Sequence, residues 1–460
     1  MLAITRMLES FAYRNSPIAA QEALIAARST LRNIMREGRA FASFSAHLHE
    51  SQWWSLRELG DYHSQRLREI VQAAARDVPF YRDKWRGAGL DVEALSLPRD
   101  SARMPLLDNS QVRAAGKCMI STKRNWPLFP GSTSGTTGAP LDLYQDLPAI
   151  SRENAFIWRQ LNWAGVRRGE RRAWMRGDLI VSASQNKPPF WRMNRAENLL
   201  MLSSYHLSES AANAYLDALA EFDPVVIQAY PSSIGFLARS LLDSGTRYGG
   251  GALRGIVTSS ETLCADSRRE IERAFGCRVF DWYGQFERVA AIGTCEQGWF
   301  HLLSDYSFVE LLPAGDGLFE IVGTGFNNLS MPLIRYRSGD LVRPAPAGWR
   351  CACGRPFPLI DEIVGRADDS IKLPDGRSIG RLDHVFKGVE GILEAQIRQD
   401  SADQIRILVV PSPSFGDLTR ETLLRNARNR LGESIDLEVE PVDSIPRTGN
   451  GKVKGVVCTV

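Results

Sequence analysis

The stretch Phe129-Pro-Gly-Ser-Thr-Ser-Gly-Thr-Thr-Gly-Ala-Pro-Leu141 is the most informative part of this chain. Its backbone amides and side-chain hydroxyls can turn inward together around the oxygens of a polyphosphate. Glycine is needed in such a loop because the backbone must approach the ligand closely. A solvated Ser/Thr/Gly turn is the alternative, and composition alone would favour it. We interpret the stretch as a nucleotide-phosphate loop, made of Thr133, Ser134, Gly135, Thr136, Thr137 and Gly138.

The same stretch does not contain an ordinary P-loop. That motif requires a lysine directly after its last glycine, whereas Ala139 follows Gly138 here. The usual kinase or GTPase mechanism is therefore excluded. A lysine that meets the phosphates would have to come from another part of the chain.

The composition is that of an ordinary globular protein and favours a small molecule as its partner. The chain has 460 residues, which suggests two or three domains. Hydrophobic residues make up 44% and charged residues 24%, as in ordinary globular proteins. The net charge is only +3 with both signs interspersed, so nothing calls for nucleic acid or an anionic membrane as a partner.

The cysteines and the start of the chain predict a cytoplasmic location. Seven cysteines, several without a close partner, fit a reducing compartment better than a disulfide scaffold. Arg6, Glu9 and Arg14 interrupt the first apolar residues, so we expect neither a signal peptide nor stable membrane insertion. A homodimer is the default expectation for such a protein.

The order of predicted elements indicates an α/β protein. Helical periodicity covers residues 20–75, in a helical region 1–80 that Pro79 ends. Strands alternate with helices at 225–229, 232–242, 255–258, 266–275 and 278–282, which predicts parallel or mixed layers. Residues 308–342 read as a β-rich subdomain with strands at 308–312, 318–324 and 333–336. We expect a large domain of residues 1–365 and a small α+β domain of residues 366–460, with helices near 382–389 and 418–431.

Polar residues follow three of the predicted strands, where ligands of such sheets gather. Tyr230, Pro231, Ser232 and Ser259 are the predicted substrate-pocket residues. No unpaired charge stands out among them as a partner for a charged substrate. Trp174 and Met175 lie on an apparent strand and are expected in the core.

Five motifs, in this order, resemble the adenylate-forming superfamily that includes acyl-CoA synthetases. They are Thr133-Ser-Gly-Thr-Thr-Gly-Ala-Pro140, Tyr283-Gly-Gln-Phe-Glu287, Arg335-Tyr-Arg-Ser-Gly-Asp340, Gly365-Arg-Ala-Asp-Asp-Ser-Ile-Lys372 and Pro446-Arg-Thr-Gly-Asn-Gly-Lys452. The segments Val78-Pro-Phe-Tyr81 and Cys351-Ala-Cys-Gly-Arg355 resemble its phenylacetate-CoA ligase branch, which includes capsule-locus relatives. The resemblance covers residues 65–460, and the ordered set is far more specific than any single motif.

The resemblance implies that ATP activates a small carboxylic acid, expected to be aromatic, as an acyl-adenylate. The acyl group then passes to a thiol, with coenzyme A as the expected acceptor. Glu287 would bind Mg²⁺, Asp340 would accept hydrogen bonds from the ribose hydroxyls, and Tyr283 would stack on adenine. The other residues that would contact the nucleotide are Ser260, Glu261, Trp282, Gly284 and Arg366.

The resemblance also implies a mobile small domain. Lys452 would enter the site from that domain and bridge the substrate carboxylate and the α-phosphate. Asp368 would lie at the hinge, about which the small domain rotates after adenylation.

Two departures from the family pattern bear on the reaction: the first removes a hydrogen-bond donor from the adenylation site, and the second leaves the acceptor open. Phe286 replaces the usual Ser or Thr before the metal-binding glutamate, and Lys372-Leu-Pro-Asp-Gly376 replaces a segment that helps to line the pantetheine tunnel. Transfer to an amine, a hydroxyl or a carrier-protein thiol is the alternative. A nucleotide-binding regulatory protein without turnover is a further one, although the joint presence of Lys452, Glu287 and Asp340 argues against it.

Cys295, His301, Cys351 and Cys353 form a candidate structural zinc set. Three thiols and an imidazole suit a tetrahedral site, and the Cys-x-Cys-Gly turn resembles a zinc knuckle. Reduced cysteines beside a surface histidine are the alternative interpretation.

Overall fold

The computed structural model describes residue 13 and residues 15–460, apart from 124–125, 133–140, 179, 183–184, 367–370, 374–377, 380–381, 387, 433–434 and 449–450. The predicted phosphate loop and Asp368 therefore lie outside the described residues. The chain divides into two compact units. The first unit consists of Met1–Thr30, Ala164–Asp281 and Arg366–Val460, and the second of Leu31–Trp163 and Trp282–Gly365.

Helices and strands alternate along most of the described chain. The α-helices are α1 (Ile18–Arg36), α2 (Arg39–Ser51), α3 (Leu56–Asp77), α4 (Pro79–Gly87), α5 (Asn109–Ala115), α6 (Leu147–Trp163), α7 (Glu209–Phe222), α8 (Pro231–Asp243), α9 (Ala265–Phe275) and α10 (Asp417–Leu431). The strands are β1 (Leu128–Ser132), β2 (Asp142–Asp146), β3 (Arg172–Arg176), β4 (Trp191–Asn194), β5 (Leu199–Ser203), β6 (Val226–Ala229), β7 (Gly255–Ser259), β8 (Arg278–Gly284), β9 (Ala291–Thr294), β10 (Phe300–Leu302), β11 (Ser307–Gly315), β12 (Leu318–Gly325), β13 (Tyr336–Pro344), β14 (Leu359–Arg366), β15 (Ile371–Lys372), β16 (Ser378–Ile379), β17 (Ile392–Gln399), β18 (Gln404–Pro411), β19 (Asp436–Pro441) and β20 (Val456–Cys458).

The first unit contains the predicted parallel α/β layers. Its strands follow the order β7, β6, β3, β5 and β4, and all neighbours are parallel except β4 and β5. Every residue of β6 and β7 is buried, as expected for strands covered on both faces. Helices α7, α8 and α9 supply Tyr215, Ile234 and Ile271 to the same core. This confirms the alternating strands and helices predicted between residues 225 and 282.

Residues beyond Arg366 form a second sheet within the first unit. Strand order is β19, β18, β17, β20, with β17 and β18 antiparallel and both outer pairs parallel. Helix α10 packs on this sheet through Leu423 and Ala427. The segment also contacts the α/β core, since Leu393 and Ile445 join that core. The predicted helix near 382–389 is a 3₁₀ turn, Leu382–Phe386.

The second unit is a helical layer with a mostly antiparallel sheet. Strand β9 pairs with the end of β8, and the order then runs β10, β14, β13, β12 and β11. The predicted strand 333–336 is wrong, because Arg335 has a left-handed backbone (φ 49°) and the strand begins at Tyr336. The helical region is divided into α1, α2 and α3, and Pro79 begins α4, where a missing N–H costs nothing. Among the described helices none is long and apolar enough to cross a bilayer.

Candidate functional site

Lys452 lies in a tight loop of the first unit. The backbone N–H of Gly451 donates to Thr448 O at 2.8 Å, and that of Thr448 donates to Lys452 O at 2.9 Å. Gly451 has φ 70°, and a Cβ atom there would lie 2.7 Å from Cα of Gly177. Only glycine fits this position, because both the backbone angle and the contact exclude a side chain. The glycine before Lys452 thus allows its loop to lie directly on the residue that follows β3.

Glu261 anchors the Lys452 loop to the start of α8. Its Oε1 accepts the N–H of Val453 at 2.9 Å, and its Oε2 accepts the N–H of Ser232 at 2.9 Å. Ser232 is in the first turn of α8, where backbone N–H groups have no partner within the helix. Burial raises the pKa of Glu261, while these N–H donors and Arg447 oppose that effect. A residue predicted to contact the nucleotide therefore holds two elements of the first unit together.

Lys452 is part of a cationic group. Burial lowers the pKa of Lys452, Glu261 opposes that effect, and the nearby charges of Arg176 and Arg366 lower the pKa further. Two cations and one acid thus act on Lys452, and the excess of positive charge around it attracts an anion. We call Lys452, Glu261 and Arg176 the Lys452 cluster.

Arg176 is a member of this cluster that the sequence analysis missed. Its guanidinium lies over the rings of Trp174 and Tyr230, with centroid distances of 4.7 and 5.7 Å. Burial lowers the pKa of Arg176, and its buried Nε has no hydrogen-bond partner among the described residues. A buried donor of this kind is costly until a ligand satisfies it. The available signal was its place at the carboxyl end of β3.

The predicted core residues beside Arg176 behave differently from each other. Met175 is fully buried, as expected. Trp174 is only half-buried, and its Nε1 donates to Asp178 at 2.6 Å. The prediction for Trp174 was wrong, because alternate residues of β3 face opposite sides and its indole lies beside the guanidinium of Arg176.

The predicted substrate residues lie at the carboxyl ends of β6 and β7. Tyr230 is buried and precedes Pro231, the first residue of α8. Ser259 ends β7, and its Oγ lies 3.3 Å from Oγ of Ser260. Ser260 has φ 73°, a conformation that costs energy for serine and is frequent at functional sites. Since Ser232 binds Glu261 and Tyr230 lies beside Arg176, the structure brings Ser232 and Tyr230 next to the Lys452 cluster.

Asp340 is the centre of a hydrogen-bonded group in the second unit. Its Oδ2 accepts the hydroxyl of Tyr283 at 2.6 Å and Nε2 of Gln285 at 2.7 Å. Nε2 of Gln285 also contacts the hydroxyl of Tyr283. Burial and the charge of Asp340 raise the pKa of Tyr283 well above its usual value, so this phenol remains a donor. We call Tyr283, Gln285 and Asp340 the Asp340 cluster.

The hydrogen bonds of the Asp340 cluster fix the orientation of the Asp340 carboxylate, and they do not test its predicted role in binding ribose. Gln285 was not predicted as a site residue, although it lies between Tyr283 and Glu287 in the quoted motif. Trp282 and Gly284 flank Tyr283 on β8 and pair with Gly293 and Ala291 of β9. The carboxylate of Asp340 is thus held in one orientation by two neutral donors.

Glu287 and Phe286 follow β8 in the second unit. Glu287 is half-buried, and its Oε1 accepts the hydroxyl of Tyr336 at 3.4 Å. The ring of Phe286 lies on Gly131, where an added Cβ would be only 2.3 Å from Cζ of that ring. Gly131 is on β1, directly before the predicted phosphate loop. Phe286 therefore packs against the strand that leads into that loop.

The four candidate zinc ligands lie together in the second unit. Their ligand atoms are all within 4.8 Å of one another. Sγ of Cys295 is 3.6 Å from Sγ of Cys351, and Sγ of Cys353 is 3.4 Å from Nε2 of His301. Burial and Arg355 lower the pKa of His301 to about 4, so its imidazole is neutral. We call these four residues the cysteine cluster.

Comparison with known proteins gives a consistent result. Residues 372–459 match the family described as the CapK C-terminal domain. Protein CapK of Staphylococcus aureus is 25% identical over 456 residues, which cover 96% of this chain and 98% of that protein. Phenylacetate-coenzyme A ligase of Pseudomonas putida is 24% identical over 330 residues, which cover 69% of this chain and 72% of that protein.

A solved structure has the same fold. The crystal structure of 2-hydroxyisobutyryl-CoA ligase in the postadenylation state, in complex with R3-HIB-AMP, aligns with a TM-score of 0.67 at 22% identity. The alignment covers 89% of this chain and 93% of the ligase. By sequence this chain is similar to CapK and to phenylacetate-coenzyme A ligases, residues 372–459 match the CapK C-terminal domain, and the fold is that of 2-hydroxyisobutyryl-CoA ligase.

Proposed function

We propose that this chain is an AMP-forming ligase that activates a carboxylic acid with ATP and transfers the acyl group to coenzyme A. The observation that carries the proposal is the Lys452 cluster, in which a half-buried lysine is anchored through Val453 and Glu261 beside Arg176. The predicted substrate residues Tyr230 and Ser232 belong to the same unit.

The first step brings two anions together. An oxygen of the substrate carboxylate attacks the α-phosphorus of ATP, the bond from that phosphorus to the leaving pyrophosphate breaks, and an acyl-adenylate forms. Lys452 would neutralise the α-phosphate and the carboxylate as charge shifts between them. Arg176 would hold the acid beside Tyr230, which would satisfy its unpaired Nε. The two cations therefore have distinct roles, one on the reacting atoms and one on the substrate.

Residues of the second unit would bind the nucleotide. Asp340 would accept hydrogen bonds from the ribose hydroxyls, with its orientation fixed by Tyr283 and Gln285. Glu287 would hold Mg²⁺, since this hard cation prefers a carboxylate together with phosphate oxygens. When bound, Mg²⁺ would neutralise phosphate charge. The predicted phosphate loop, Thr133 to Gly138, would donate its amides and hydroxyls to the β- and γ-phosphates.

The second step would transfer the acyl group from AMP to a thiol. Coenzyme A is the proposed acceptor and an aromatic acid the proposed substrate, because the relatives include phenylacetate-coenzyme A ligases. Rotation of residues 366–460 about Asp368 would withdraw Lys452 between the two steps. The segment Lys372–Gly376 departs from the family pattern that helps to line the pantetheine tunnel, and its Leu373 is buried in the core of the C-terminal sheet. Acceptors other than coenzyme A are therefore included in the test.

The proposal is tested by pyrophosphate release from ATP and Mg²⁺ with aryl, arylacetic, fatty and amino acids, each with and without coenzyme A. We expect release that depends on one acid class and turnover that rises with coenzyme A. Acid-dependent release without that rise would reject coenzyme A in favour of an amine, a hydroxyl or a carrier protein. No release with any acid, from protein that binds ATP, would favour a regulatory nucleotide-binding role.

The role of Arg176 is tested with Arg176→Met and Arg176→Lys. The methionine variant retains the apolar stem, so we expect KM for the acid to rise about 10- to 100-fold while ATP binding stays unchanged. Lysine should recover part of this loss. Equal effects on acid and ATP binding would contradict a role in holding the acid.

A further inference from the structure

We infer that the cysteine cluster of Cys295, His301, Cys351 and Cys353 binds one structural Zn²⁺, which ties the β9–β10 turn to the loop before β14. The inference does not rest on the proposed function. It rests on the spacing of the ligand atoms, on the turns that present them and on the groups around them.

The four ligand atoms lie within 4.8 Å of one another, and two of the distances between them match a tetrahedral zinc site. Zn–S bonds of about 2.3 Å and Zn–N bonds of about 2.0 Å place neighbouring ligand atoms about 3.5–3.8 Å apart. The sulfur atoms of Cys295 and Cys351 are 3.6 Å apart, and Sγ of Cys353 is 3.4 Å from Nε2 of His301. A disulfide requires about 2.05 Å between sulfur atoms, so Cys295 and Cys351 are separated by a distance typical of shared metal ligation.

The local backbone is built to present these ligands. Cys295 begins the turn between β9 and β10, which closes through Gly298 N–H to Cys295 O at 2.9 Å. His301 lies on β10 and pairs with Gly293 and Leu359. Cys351 and Cys353 lie in a second turn, closed by Gly354 N–H to Cys351 O at 3.2 Å. Gly354 has φ 81°, which a non-glycine residue would adopt only with strain.

Backbone N–H groups point at the sulfur atoms. The N–H of Gln297 lies 3.3 Å from Sγ of Cys295, and the N–H of Cys353 lies 3.5 Å from Sγ of Cys351. A thiolate is a far better acceptor than a thiol, so these donors suit metal-bound sulfur. Cys295 and His301 are fully buried and Cys351 is 9% exposed, which protects such a site from exchange.

The ion pair of Arg355 and Glu296 lies beside the site. Three thiolates and a neutral imidazole around Zn²⁺ carry a net charge of −1, and Arg355 follows the second turn directly. Its guanidinium binds Glu296 at 2.7 Å, donates to Gln52 at 3.2 Å and lies over the ring of Trp163 at 4.3 Å. Arg355 is thus fixed beside the cluster by contacts that do not involve the ligands.

The consequence is mechanical. Strand β9 pairs with Tyr283 and Gly284 at the end of β8, and β10 pairs with β14. A metal that joins the β9–β10 turn to residues 351–353 would therefore brace the sheet that carries Tyr283. Such small turns contain little apolar surface of their own, so the free energy of metal binding would contribute directly to their folding.

The test is metal analysis of the full chain purified in reducing buffer without chelator. We expect about one zinc per chain. Cys351→Ser and Cys353→Ser should lose it, whereas Cys118→Ser, at an exposed thiol outside the cluster, should retain it. Displacement of the metal from the wild-type chain by an organomercurial and chelator should lower Tm by on the order of 10 °C. Amide exchange should then rise in residues 291–302 and 351–359.

Cobalt reconstitution covers the case in which the serine variants fail to fold. Wild-type chain stripped of metal and given Co²⁺ should show the sulfur-to-cobalt charge-transfer absorption of a thiolate site. The inference is overturned if the stripped chain takes up neither Zn²⁺ nor Co²⁺, if a Cys295–Cys351 disulfide is found, or if Cys351→Ser holds as much zinc as Cys118→Ser.

Discussion

The backbone N–H of Val453 donates a 2.9 Å hydrogen bond to Oε1 of Glu261, and this contact fixes the residue next to Lys452. Oε2 of the same carboxylate accepts the N–H of Ser232 at the start of α8. One acid thus connects the C-terminal segment to the helix that follows the predicted substrate residue Tyr230. Glu261 thereby holds the loop of Lys452 at the carboxyl ends of the strands in the α/β layers.

Glu261→Gln should weaken this connection. The carboxylate accepts two N–H groups, whereas an amide has one oxygen and must turn its NH₂ toward the other donor. The loss of one charge-assisted bond should lower the rate of adenylation about 10- to 100-fold, with little change in Tm. Adenylate formation and amide exchange at Val453 check this. Glu270→Gln, which removes the charge from the ion pair with Arg239, is the matched control, and equal losses in both variants would contradict the anchoring role.

The pH dependence should report the charge of Lys452. Burial lowers the pKa of this ammonium, so it loses its proton below the pH at which a free lysine does. As pH rises through that lowered pKa the cation disappears, and kcat/KM should fall on the alkaline side. Lys452→Arg keeps its charge at high pH and should move the fall upward, although the rate itself is lower. An unchanged alkaline limb in Lys452→Arg would assign the titration to another group.

Asp340→Asn and Tyr283→Phe should weaken ATP binding. We expect about a 10- to 100-fold loss of affinity for the asparagine, because its side chain cannot accept from the ribose and from both neighbours. Tyr283→Phe removes one bond to a carboxylate that Gln285 still holds, so about a tenfold loss is expected. Calorimetry with ATP and with 2′,3′-dideoxy-ATP, which lacks both ribose hydroxyls, separates a lost contact to the ribose from a general disturbance of the site. If the asparagine variant lost as much affinity for the dideoxy analogue as for ATP, Asp340 would not bind the ribose.

Gly131 and Phe286 should be coupled in a double-mutant cycle. Gly131→Ala would place a methyl group 2.3 Å from the present position of Cζ of Phe286, so the ring must move. Phe286 is 37% exposed, so we expect a modest destabilisation of about 1–2 kcal/mol in the Phe286 background. The same substitution in Phe286→Ser should cost almost nothing. Urea unfolding of the four proteins measures the coupling, and additive effects would mean that the ring does not pack on Gly131 in solution.

The sequence predicted the parts of the fold in which local pattern and tertiary environment agree. Strands β6 and β7 are buried throughout and contain the β-branched pairs Val226-Ile227 and Ile256-Val257, and α8 begins at a proline after β6. The strand expected at 333–336 failed because the positive φ of Arg335 is imposed by tertiary contacts, which include hydrogen bonds from its guanidinium to Glu310 and Met104 O. The spacing of apolar residues does not predict a backbone angle that depends on such contacts.

The site was predicted less completely than the fold. Lys452 and Asp340 were found because each lies in a recognisable motif. The pairing of Asp340 with Tyr283 joins residues 57 positions apart, and no local pattern reports it. Arg176 was missed because a single charge at the end of Trp174-Met175 looks like the edge of a core strand. Its place at a ligand-binding edge follows from the parallel pairing of β3 with β6, which a single strand does not reveal.

Acid-dependent exchange of labelled pyrophosphate into ATP by wild type and Lys452→Ala tests whether Lys452 acts in adenylation. Exchange reports the first step alone and does not require the acceptor. We expect exchange by the wild type with at least one carboxylic acid, and a loss of about 100- to 1,000-fold in Lys452→Ala with ATP affinity retained. Exchange that persists at wild-type rate in Lys452→Ala would contradict the role given to the Lys452 cluster.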